Sequence, residues 1–130
     1  MSTHPFAGTG GATGFGMIIA TTRVMPLPRH RADVIELFHS VQEPMRAQPG
    51  CISCDIYGEE GAEAAVILVG RWISQEALET HLRSEMYRCI LGAMELSAGP
   101  PAVRFERVTA IDGLELVERI RNPVQTMAGR

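Results

Sequence analysis

Residues 64–73 read AAVILVGRWI. The run is apolar almost without a break, rich in β-branched residues, and too short for a typical buried helix. That is the pattern of a strand covered on both faces rather than one facing water. A sheet built around such a strand needs cover above and below, and the rest of the chain shows where that cover comes from.

Immediately upstream, residues 51–57 (CISCDIY) form a second β-rich run, separated from the first by an acidic, Gly-containing turn over residues 58–63. Immediately downstream, Ser74 is placed to cap a helix running through Leu82, with Ala77, Leu78, His81 and Leu82 on one face. A second helical stretch starts near Ser84, carries Ile90, Leu91 and Met94, and stops at Gly99-Pro100-Pro101. Farther out, residues 17–25 (MIIATTRVM) read as the first strand and 102–110 (AVRFERVTA) as the fourth. Between Arg29 and Gln48, Val34, Phe38, Val41 and Met45 recur at helical spacing, with Pro44 predicted to kink or shorten that helix.

The order is β-α-β-β-α-β, an α+β ferredoxin-like arrangement with both helical layers on one side of an antiparallel sheet. The other side is expected to be an apolar sheet face, and pairing with a second copy into a dimeric α/β barrel would cover it. The domain is expected to span residues 17–110, preceded by a flexible Gly-rich leader (1–16) and followed by an arm and tail (111–130). Within that arm, residues 112–121 (DGLELVERIR) are expected to be helical and to reach the partner.

A chain of 130 residues with 45% hydrophobic content suits one domain with a real core. Its net charge of −3 gives no basis for binding nucleic acid or an anionic membrane. No apolar run reaches the roughly 20 residues of a membrane helix, and no secretory pattern opens the chain. The three cysteines, an odd count, do not form a disulfide framework, so a reducing cytoplasm is the expected location. All twelve basic residues are Arg, so any cationic group in a pocket is a guanidinium that stays charged.

Several residues could carry chemistry. The leader lacks the Gly-Lys-Ser/Thr ending of a phosphate loop. Cys51 and Cys54, three apart on a strand, are expected on opposite faces and thus not to form a metal or redox pair; no metal site is expected. His81 should point toward the sheet, where an imidazole is ordinarily a hydrogen-bonded core residue but has the right intrinsic pKa for a general base. Trp72 and Tyr87 either fill the core or wall a pocket for a flat ligand, and Tyr57 is read the same way. Arg23 and Arg71, in otherwise apolar strands, are either interface ion-pair residues or holders of a ligand anion. Thr22 is the polar member of its strand face and could donate one hydrogen bond.

Taken together, Gln48-Pro49-Gly50-Cys51, Arg71-Trp72, and Ser74 through Leu82 followed by Ser84 resemble the antibiotic biosynthesis monooxygenase family, in its quinol monooxygenase branch. Glu95-Leu96-Ser97 through Phe105 and Gly113 through Leu116 add to the likeness. The resemblance implies a dimeric α/β barrel with a pocket between sheet and helices. It implies oxidation of a small aromatic or hydroquinone-like substrate by molecular oxygen, with no flavin, haem or metal cofactor. In that scheme His81 is the base, an Arg steadies the anion, and Trp72 and Tyr87 shape the cavity. Gly70 stands where many members have Glu, and Thr22 where haem-degrading relatives have Asn. The competing readings are a non-oxidative enzyme on the same scaffold, such as a small-molecule isomerase, and a non-catalytic ligand-binding dimer.

Overall fold

The computed structural model describes residues 16–61 and 64–122. The leader, apart from Gly16, the last eight residues and two positions of the acidic turn lie outside that range.

Among the described residues, four strands and four α-helices follow in the order β1 (Ile18–Val24), α1 (Arg31–Arg46), β2 (Cys51–Gly58), β3 (Val66–Trp72), α2 (Gln75–Leu82), α3 (Tyr87–Glu95), β4 (Ala102–Arg107) and α4 (Leu114–Arg121), with a short 3-10 turn (Pro28–His30) before α1. The sheet is antiparallel with order β2-β3-β1-β4, which is the ferredoxin-like arrangement. The apolar run of residues 64–73 therefore sits in the interior of the sheet, between β2 and β1.

Register explains the two faces. Ile18, Ala20, Thr22 and Val24 of β1 stand opposite Trp72, Gly70, Leu68 and Val66 of β3. Directly opposed residues share a face, and this is the face that the helices cover. Ile18, Val24, Val66, Leu68 and Trp72 are buried there against Val34, Phe38, Val41 and Met45 of α1, Leu78 of α2, and Ile90 and Ala93 of α3. Four buried residues of α1 keep helical spacing, so its inward stripe holds through Met45.

Pro44 does not break α1, which continues to Arg46. The residue that loses its hydrogen bond is Ser40, four back, and both Ser40 and Pro44 are exposed. Water can therefore satisfy the freed carbonyl, and the kink expected from sequence is not required. β4 stops at Arg107, three residues short of the expected end; Arg107 pairs with Ile18, the first residue of β1, and past it the Val108 N–H still reaches the Met17 carbonyl at 2.8 Å.

The face opposite the helices is less apolar than expected. Ile67 is half-buried and Val69 is 9% exposed. Between such residues lie ion pairs: Arg23 with Glu59 at 2.8 Å, and Asp55 with Arg46 and Arg71 at 3.5 and 3.7 Å. Strand alternation puts Arg23 of β1, Asp55 of β2 and Arg71 of β3 on that face, while Arg46 reaches Asp55 from the end of α1 and Glu59 follows β2.

A bulge changes the reading of the cysteines. The β2–β3 register shifts between Cys51 and Ser53, so that Cys51 stands opposite Trp72 and Cys54 opposite Gly70. The extra residue, Ile52, cancels the alternation, and both cysteines fall on the helix-side register instead of opposite faces. The Cys54 thiol is buried 3.6 Å from the Met45 sulfur, and burial pushes its pKa up to about 12. Among the described residues, no group of three or more His, Cys, Asp or Glu side chains could hold a metal ion.

Candidate functional site

α2 is short and well started. The Ser74 hydroxyl accepts the Ala77 N–H at 3.1 Å, a side-chain cap that satisfies one free backbone donor. From that fixed origin Leu78 and His81 turn inward one above the other, and His81 is 3% exposed. Trp72 closes β3 with its side chain fully buried. The indole and imidazole stack with centroids 4.6 Å apart and planes at 24°. Tyr87, the first residue of α3, meets the imidazole edge-on at 5.3 Å and 85°.

These rings line a small cavity of about 10 Å³, room for roughly one water molecule. Thr22, buried at 5% exposure, and Gly70 also line it. Gly70 is there for space: a Cβ would come within 3.1 Å of both the Met45 methyl and the Trp72 indole nitrogen. Phe105 of β4, opposite Ala20, forms the outer wall and is 45% exposed.

The polar groups are sparse. Trp72 Nε1 is buried without a hydrogen-bond partner among the described residues, an arrangement that costs stability unless something else accepts that proton. Gln48 Oε1 lies 2.8 Å from His81 Nδ1. Burial pushes the His81 pKa down from 6.5 to about 4, so the ring is neutral at pH 7, and burial raises that of Tyr87, which stays a neutral phenol. An unsatisfied indole donor and a neutral imidazole beside one cavity can hydrogen-bond to a polar group placed there, and the imidazole can exchange a proton with it.

The expected site residues separate cleanly. His81, Trp72, Tyr87 and Thr22 come together at the cavity. Arg23, Arg71 and Tyr57 do not. Arg23 binds Glu59 through two hydrogen bonds of 3.0 and 2.8 Å on the opposite sheet face. Arg71 reaches Ser53 Oγ at 3.3 Å and Asp55 on that same face. Tyr57, opposite Ile67, is 51% exposed there. Alternation decides all three: Arg23 follows Thr22, Arg71 precedes Trp72, and each points the other way. Among the described residues no guanidinium lines the cavity, so there an anion would be steadied by neutral donors. The sequence reading missed Gln48, Gly70 and Phe105 as site residues. Phe105 alone had a usable signal, alternating with Val103 on β4.

Comparison with known proteins gives a consistent picture. The family model described as antibiotic biosynthesis monooxygenase matches residues 17–91. The structure of Rv0793 from Mycobacterium tuberculosis is 30% identical with a TM-score of 0.64, over 75% of this chain and 97% of that one. A conserved protein from Methanosarcina mazei is 19% identical with a TM-score of 0.64, over 71% and 92%. A structure named antibiotic biosynthesis monooxygenase is 17% identical with a TM-score of 0.63, over 73% and 99%. The last two likenesses speak to fold alone. An uncharacterized protein of Synechocystis is 23% identical over 92 residues, which span 70% of this chain and 63% of the relative's length.

Proposed function

The chain belongs to the antibiotic biosynthesis monooxygenase family, and from that premise we propose that it oxidises a small phenolic or hydroquinone-like aromatic with molecular oxygen, without flavin, haem or metal. The observation that carries this reading is the buried Trp72–His81 stack, with Tyr87 at its edge and an unpaired indole N–H beside it. A flat ligand extends such a stack, and a ring oxygen is the natural acceptor for the indole proton.

The electrons come from the substrate. His81 takes the phenol proton, and the electron-rich phenolate reduces oxygen. One oxygen atom bonds to a ring carbon and the other leaves as water, so a phenol plus oxygen gives a quinone plus water. Although the imidazole alone is weakly basic, a phenolate formed beside it in a dry site favours the imidazolium. Trp72 Nε1 and Thr22 Oγ1 are the neutral donors for the phenolate oxygen, and the apolar walls exclude water from reactive intermediates.

The protein acts as a homodimer in the cytoplasm. The exposed Tyr57 on the outer sheet face and the exposed Leu114, Val117 and Ile120 along α4 support self-association. Three free cysteines support a reducing compartment. No helix of the described residues is long and apolar enough to cross a membrane.

A second reading, a non-catalytic ligand-binding dimer, draws support from His81 being a buried imidazole already bonded to Gln48, the ordinary state of a core histidine. Oxygen-electrode measurements with metal-free protein and a panel of phenols and hydroquinones separate the two. Uptake well above autoxidation, with labelled oxygen in the product, supports the enzyme. Ligand binding without uptake supports the alternative.

A further inference from the structure

The contact between Gln48 and His81 contains a choice that the sequence does not advertise. A side-chain carbonyl oxygen accepts hydrogen bonds and never donates them. With Gln48 Oε1 at 2.8 Å, the contact is a hydrogen bond when His81 Nδ1 carries the proton. On a neutral ring the other nitrogen, Nε2, then holds the free lone pair.

We propose that Gln48 is a positioning residue that locks His81 in the neutral Nδ1–H form and thereby presents Nε2 as the proton acceptor of the site. The proposal rests on reading His81 as the base.

The turn carrying Gln48 is built to be rigid. Its N–H donates to Met45 at the end of α1 at 3.0 Å, and its carbonyl accepts from Cys51 at the start of β2 at 3.1 Å. Pro49 follows, and then Gly50 at φ 84°, a conformation natural to glycine. The Gly50 carbonyl accepts the Ile73 N–H at 2.8 Å, just past the end of β3. A Cβ at Gly50 would collide with the Cβ of Ala77, one turn before His81 on α2. The missing side chain lets the turn seat against the helix that carries the imidazole, and that seating brings the amide within hydrogen-bond reach.

The choice of an amide has chemical content. A carboxylate at position 48 would orient the ring equally well but would favour the imidazolium and hold the proton. An amide orients without charge. The groups facing the ring are Trp72 from β3, Tyr87 from α3 and Gln48 from the turn, and Tyr87 is the titratable one among them. A proton taken from a substrate hydroxyl by Nε2 is then free to leave again once the product forms.

The test is the long-range ¹H–¹⁵N spectrum of the full-length protein at pH 7, with His81→Phe identifying the His81 signals. The wild type is expected to show the Nδ1–H pattern. Gln48→Leu should shift it toward Nε2–H and lower kcat about 100-fold, the scale of a lost general base, with little change in KM. Gln48→Glu should keep the Nδ1–H pattern and move the His81 titration, and the acid limb of the rate profile, upward by about one pH unit or more. A wild-type Nε2–H pattern, or an unchanged pattern in Gln48→Leu, overturns the proposal. Should Gln48→Leu fail to fold, the wild-type spectrum and the Gln48→Glu titration still decide it. If the spectra behave as expected while no phenol supports oxygen uptake, the monooxygenase reading fails and the tautomer lock stands.

Discussion

Trp72 and His81 stack face to face at 4.6 Å, although one closes a strand and the other lies near the end of a helix nine positions later. The connection is short because Ile73 and Ser74 turn the chain directly into α2. The same two rings thus join the sheet to the helical layer and wall the cavity.

Replacing His81 by Phe keeps an aromatic ring in the stack and removes the nitrogen lone pair. Oxygen uptake should fall by about 100-fold or more, the scale of general-base loss. Circular dichroism should show the fold intact. A variant that oxidises substrate at the wild-type rate would remove His81 from the mechanism.

Acid should weaken the protein through the same residue. The His81 pKa is about 4 when folded against 6.5 ordinarily, so between those values the unfolded chain binds the extra proton. Stability contributed by the neutral ring is fully present above about pH 6.5 and is lost as pH falls toward 4. The loss should be about 3–4 kcal/mol at most, from ~1.4 kcal/mol per pKa unit. Urea midpoints at pH 7 and pH 4.5 measure it, and His81→Phe should flatten the difference.

At Gly70 an added methyl meets the Met45 terminal methyl and the indole nitrogen at 3.1 Å. The Met45 end can shift, so Gly70→Ala should cost only about 1–2 kcal/mol. The cavity should nevertheless fill, and ligand binding measured by Trp72 fluorescence should weaken strongly. Equal binding in both proteins would mean that the ligand sits elsewhere.

Gly50→Ala faces a harder limit. Its φ of 84° and the facing Ala77 Cβ leave no soft neighbour to move. Thermal unfolding should show a loss of about 2 kcal/mol or more.

Leu114, Val117 and Ile120 are spaced three apart on α4 and are all exposed. Changing Val117 and Ile120 to Ser should leave the stability of a lone chain nearly unchanged. Sedimentation equilibrium should show a weaker dimer if this stripe meets a second copy, and no change if it does not.

The architecture was legible because the inner strands read as β-rich runs between clear breaks and the long first helix kept its buried stripe. AAVILVGRWI could only be an interior strand, and Val34, Phe38, Val41 and Met45 could only be one helix face. The cavity was half legible. His81 and Trp72 followed from helical spacing and strand position, whereas Arg23 and Arg71 were carried as candidates until the strand register placed them on the other face. Gln48 was not legible as a site residue, since its role depends on a turn meeting a helix 33 positions away. The fate of Cys51 and Cys54 was hidden for another reason: a bulge shifts register without any mark in the local residue pattern.

β4 is the edge strand beside β1, and all six of its residues are exposed. Phe105 on that strand walls a cavity whose floor, Trp72 and His81, lies in the tightest part of the core. The enclosure therefore has a stiff base and a compliant rim. A guest larger than one water would need the edge strand to give way, so backbone amides of β4 should exchange with solvent far sooner than those of β3, and a guest in place should slow them.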